Sequence, residues 1–60
     1  MNFTVTFFDS FGSRDATSNC TDANEVFETV EFGRTSEGFS RCEVTWTDTD
    51  GNERTMVAFE

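Results

Sequence analysis

Residues 41–59, RCEVTWTDTDGNERTMVAF, decide how this chain is expected to fold. Cys42, Val44 and Trp46 alternate with Arg41, Glu43, Thr45 and Thr47, the period-two pattern of a half-buried strand. Apolar residues resume after Asp50-Gly51, a favoured pair for a two-residue hairpin turn. Such a turn pairs Trp46 with Thr55, Val44 with Val57 and Cys42 with Phe59. Every large apolar residue of both strands then falls on one face, except Met56.

Upstream, residues 22–32 read as a helix that covers this face. Asp22 and Glu25 form a D-x-x-E capping arrangement, and both place negative charge at the positive end of the helix dipole. Ala23, Val26, Phe27 and Val30 recur at the spacing of one buried stripe. Gly33 is expected to stop the helix in the left-handed conformation, with Phe32 folding back toward the core. Glu25 and Glu28 point away from the core, and Glu31 lies on the flank.

At the amino end, Phe3, Val5 and Phe7 alternate with Thr4 and Thr6, which predicts a strand over residues 2–8. Residues 9–21 are rich in Asp, Ser, Thr, Asn and Gly and read as a loop, pinned to the core by Phe11. The expected fold is therefore α+β, a single domain over residues 1–60 in the order β-α-β-β. One helix packs on one face of a three-stranded antiparallel sheet. The first strand is placed beside the last, because placing it beside the 39–47 strand requires a parallel pair.

Composition narrows the function. The 60 residues carry 12 acidic side chains against 4 basic ones, with no histidine, for a formal charge of −8 and a pI near 4.1. All four bases are arginines. Such a surface repels nucleic acid and anionic membrane, so its electrostatic partner is basic. Histidine and lysine supply most general bases, imine-forming amines and nitrogen metal ligands, and their absence argues against catalysis. Apolar residues make up 35%, below the usual range of about 45–50%. That composition also suits a disordered chain. The eight phenylalanines and Trp46 argue against disorder, because each buries roughly 150–250 Å² and they recur periodically.

No apolar run is long enough to span a bilayer, and Met1 leads straight into a strand-like segment with no secretory pattern. A cytoplasmic location is expected. Cys20 and Cys42 fit two reduced thiols or one disulfide, and their spacing is not that of a zinc site. Asp48, Asp50, Gly51 and Glu53 have the flavour of a calcium loop. The glycine stands two positions too early, however, and Phe59 occupies the place of the bidentate acid. No metal, cofactor or catalytic residue is expected.

Between Arg14 and Arg34 there are five acids and no base: Asp15, Asp22, Glu25, Glu28 and Glu31. These are the candidate partner-binding residues. Carboxylates on successive helical turns sit about 5–6 Å apart, close to the roughly 7 Å between phosphates along one strand. They can offer Arg and Lys the charge-assisted bonds that phosphates accept.

In length, charge and the acidic run Asp22-Ala23-Asn24-Glu25-Val26-Phe27-Glu28-Thr29-Val30-Glu31, the chain resembles small phage-encoded anti-CRISPR proteins that imitate nucleic acid. The resemblance rests on size and charge, with no diagnostic motif. It implies a non-enzymatic monomer in the host cytoplasm that binds a basic surface of a Cas effector subunit. Such an inhibitor blocks target DNA binding without itself binding nucleic acid. The alternative is a halophile-type interaction domain whose acidity serves solubility, with Met56 or Phe8 as apolar contacts. A small enzyme is the third reading.

Overall fold

A computed structural model describes residues 1–60. The chain runs through β1 (Phe3–Phe8), β2 (Arg14–Cys20), α1 (Ala23–Phe32), a π-helical turn (Gly33–Glu37), β3 (Arg41–Thr47) and β4 (Glu53–Phe59). The sheet has four strands in the order β2-β1-β3-β4, and every neighbouring pair is antiparallel. The expected three-stranded β-α-β-β sheet is thus corrected to ββαββ, still of the α+β class.

The correction comes from residues 14–20, which form an edge strand rather than a loop. Most of its side chains are exposed, so no large apolar residue marks it. The inward positions are Ala16, Ser18 and Cys20, opposite Phe7, Val5 and Phe3. They are small because α1 lies over this side of the sheet.

The extra strand also changes the topology. It reverses the chain once before the helix, so β3 returns antiparallel to β1 and pairs with it, Val5 opposite Val44. The first strand therefore lies beside the 41–47 strand and not beside the last one. No parallel pair is needed.

Two turns of one design set the registers. In the first, Asp9 N–H donates to the Ser13 carbonyl at 3.0 Å, and Gly12 takes φ 82°. In the second, Asp48 N–H donates to the Asn52 carbonyl at 2.9 Å, and Gly51 takes φ 84°. A single left-handed residue after a type I turn makes a three-residue hairpin loop. The expected two-residue turn at Asp50-Gly51 is therefore one residue too short. Trp46 pairs with Arg54 and Val44 with Met56, so Met56 moves to the core face and Val57 to the opposite one. An irregularity between Cys42 and Glu43 then restores the expected pairing of Cys42 with Phe59.

The core is small. Val5, Phe7, Cys20, Cys42 and Val44 are its buried side chains, with Phe3, Val26, Val30, Phe39, Trp46, Ala58 and Phe59 packed around them. Phe7 is its hub, stacked on Phe39 with centroids 4.8 Å apart and tilted against Phe59 at 6.4 Å. The other side of the sheet is polar. Asn19, Thr4, Thr45 and Thr55 follow one another across all four strands, with Thr4–Asn19 and Thr45–Thr55 side-chain bonds of 3.4 and 3.1 Å.

Gly33 is not the left-handed stop. Its φ of −63° is right-handed, and the helical path runs on to Gly38, which takes φ 69° and closes the π turn on the Gly33 carbonyl. Phe32 stays helical and 58% exposed instead of folding back. Phe11, expected to pin a loop to the core, stands 91% exposed at the tip of the first hairpin. No helix is long and apolar enough to cross a membrane.

Candidate functional site

Of the five sequence-assigned acids, Asp15 lies on the edge strand β2 and the other four on α1 or its cap, in three chemical states. Asp22 is the N-cap, and its Oδ1 accepts from the Glu25 N–H at 2.8 Å. Glu25 Oε1 in turn accepts from the Thr21 N–H at 2.6 Å and the Thr21 hydroxyl at 3.3 Å. These two carboxylates satisfy orphan donors at the helix start, the reciprocal logic of a capping box. Glu31 makes a two-pronged bond with Arg34, 2.7 Å at its shorter arm, which holds its carboxyl below the ordinary value. Asp15 and Glu28 are exposed and make no ion pair.

The arginines are unevenly used. Arg34 is tied to Glu31, Arg41 to both Glu43 and Glu60, and Arg54 to Asp48. Only Arg14 is outside an ion pair. Cationic compensation is therefore concentrated on the π turn and the β3–β4 half. Asp15, Asp22, Glu25 and Glu28 hold the β2–α1 side without a bound arginine.

Glu25 is held by the helix cap, and Asp48 by its own turn. The Asp48 carboxylate accepts from the Asp50 and Asn52 N–H groups, each at 2.9 Å, and from Arg54 Nε at 2.9 Å. Its pKa is held below the ordinary carboxylate range by the Asn52 backbone bond first and Arg54 second. A general acid working near neutrality needs the opposite displacement. The same bonds explain the resemblance of 48–53 to a calcium loop. The acid at its head is a turn-former, and no three Cys, Asp or Glu side chains converge in the fold.

The two thiols are separated by β1. Cys20 stands opposite Phe3 on one flank of that strand and Cys42 opposite Phe7 on the other. Both are free and buried. Burial, reinforced by Glu43, pushes the Cys42 thiol up to about 11, so it is a packing group and a poor nucleophile.

Sequence reasoning missed a second surface. Helix α1 packs mainly on β1 and β2, and beside it over β3 and β4 runs an apolar groove of about 460 Å³. Phe3, Val26, Phe27, Val30, Trp46 and Met56 line it. Phe27, expected in the core, is 66% exposed, and Met56 is 50% exposed. The signal was available in Met56, the one apolar residue that did not fit the expected hairpin face. Phe8, the other expected apolar contact, is half-buried in β1.

No protein-family model, curated protein or solved structure matches the chain.

Proposed function

We propose that this protein is a non-enzymatic acidic inhibitor that occupies a basic, nucleic-acid-binding protein surface and keeps nucleic acid off it. The proposed target is the DNA-binding face of a CRISPR effector subunit in the host cytoplasm. The supporting observation is the uneven pairing of charge: Asp15 and Glu28 are free, and Asp22 and Glu25 are uncompensated by arginine. Free carboxylates on a rigid edge can accept the Arg and Lys bonds that phosphates accept.

Roles divide among the five acids. Asp15 and Glu28 are the primary contacts, Asp22 and Glu25 add field while holding the helix start, and Glu31 is partly neutralised by Arg34. The test is competition against duplex DNA for a purified CRISPR effector. The unaltered protein displaces DNA, and the Asp15→Arg, Glu28→Arg double variant loses displacement while keeping its circular dichroism. Equal displacement by both proteins removes the proposal.

A second reading is favoured by the small core and by acids on every element except β1 and in the turns and tail, Glu37, Asp50, Glu53 and Glu60 included. In it the acidity serves folding and solubility in a concentrated-salt cytoplasm. A melt in dilute buffer separates the readings, because the salt-adapted domain unfolds there and the inhibitor does not.

A further inference from the structure

We infer that the groove between α1 and strands β3 and β4 is a docking site for one basic amphipathic helix of a partner protein. The helix layer of this fold is half built. One helix lies mainly over β1 and β2, while on the same face of β3 and β4 only Val44 is buried near this end, and Trp46, Met56 and Ala58 stay partly open beside the helix. Two neighbouring strands occupy about 10 Å of sheet width, and a helix with its side chains is about 10–12 Å across. The open half is therefore wide enough for a single helix, lying against Phe27 and Val30 of α1.

Charge selects the occupant. The floor is apolar, and its one charged lining residue is Glu31. Glu28 adjoins Phe27 on α1, and Asp48 stands two residues beyond Trp46 at the hairpin end. The nearby cations Arg34 and Arg54 are already engaged by Glu31 and Asp48. A second copy would set a charge of −8 against another −8, with Arg14 as its only cation outside an ion pair. A segment with an apolar stripe and flanking Lys or Arg meets both the floor and the rim.

Trp46 is the only tryptophan and lines the groove, so it reports occupancy directly. The probe is a leucine–lysine peptide of about four turns with leucines on one helical face. Its control is a scrambled peptide of identical composition. The patterned peptide shifts Trp46 emission to the blue and saturates, and the scramble binds about tenfold more weakly or worse. Phe27→Gln with Met56→Thr, both at exposed sites, weakens the patterned peptide by a similar factor while the melting curve holds.

Equal binding of the two peptides, or an unchanged response in the double variant, overturns the inference. A blue shift that grows with protein concentration alone, with a dimer in sedimentation, assigns the groove to a second copy and overturns it as well. Saturable binding of dodecanoate with no peptide response does the same. DNA competition is scored on Asp15 and Glu28, and groove occupancy on Phe27 and Met56, so either proposal can fail alone.

Discussion

The ring of Phe7 lies directly against the backbone of Gly33. A Cβ built on Gly33 would clash with the Phe7 ring, most closely with Cε1, and would meet Cζ at 2.6 Å and Cδ1 at 2.8 Å. Glycine is required here by close approach, since its φ of −63° suits any residue. Two effects of Gly33→Ala then compete. Helix propensity favours alanine by about 1 kcal/mol, whereas overpacking a core costs about 1–3 kcal/mol. Phe7 is pinned by Phe39 and cannot yield freely, so the clash wins. Gly33→Ala lowers the melting temperature, and Phe7→Leu combined with it costs less than the sum of the two single changes. Additive losses in a double-mutant cycle would show that the contact is not the cause.

Asp9 and Asp48 are equivalent in geometry. Each carboxylate accepts two turn N–H groups, from Phe11 and Ser13 in one hairpin and from Asp50 and Asn52 in the other, all between 2.9 and 3.0 Å. For Asp48 these bonds hold the carboxyl pKa below its ordinary value. A depressed folded-state value means stabilisation present above the unfolded Asp value of about 3.9 and lost as pH falls through the folded one. Asp48→Asn keeps an acceptor oxygen and loses the charge facing Arg54. The variant is therefore less stable than the parent at pH 7, and the gap closes as pH falls below about 4. Thermal melts of both proteins across that range check the sign.

The capping residues and the free acid differ in what their removal does. Asp22→Ala removes an N-cap acceptor and lowers stability by about 1 kcal/mol. Glu28→Ala touches no internal partner and changes stability by less than about 0.5 kcal/mol. In binding the order is reversed, with Glu28 the larger contributor. Urea titration beside the DNA-competition assay separates the two scales.

The thiols provide an independent check on topology. With β1 between them, Cys20 and Cys42 do not join under mild oxidation, and the mass of the intact protein stays that of two free thiols. Cys42, buried and with its thiol raised to about 11, reacts with a disulfide reagent only as fast as the domain opens. Rapid labelling of Cys42 under native conditions would contradict the core described above.

The sequence by itself determined the elements whose apolar period is strong and local. The alternation of Phe3, Val5 and Phe7, the alternation of Cys42, Val44 and Trp46, and the Asp22–Glu25 cap are each legible within a few residues, as is the charge of −8. Strand β2 was not legible, because an edge strand under a helix needs only small residues on its inner side, and Ala16, Ser18 and Cys20 resemble a loop. The hairpin register was misread because Asp50-Gly51 alone suggests a two-residue turn. The Asp48 carboxylate, reaching the Asn52 N–H, makes it a three-residue loop and exchanges the faces of Met56 and Val57.

The candidate site divides in the same way. Its acids could be counted from sequence. Which of them are spent on caps and arginines depends on side chains that meet only in the folded state. The groove beneath Trp46 exists because one helix cannot cover four strands, a consequence of layer width that only the tertiary structure decides.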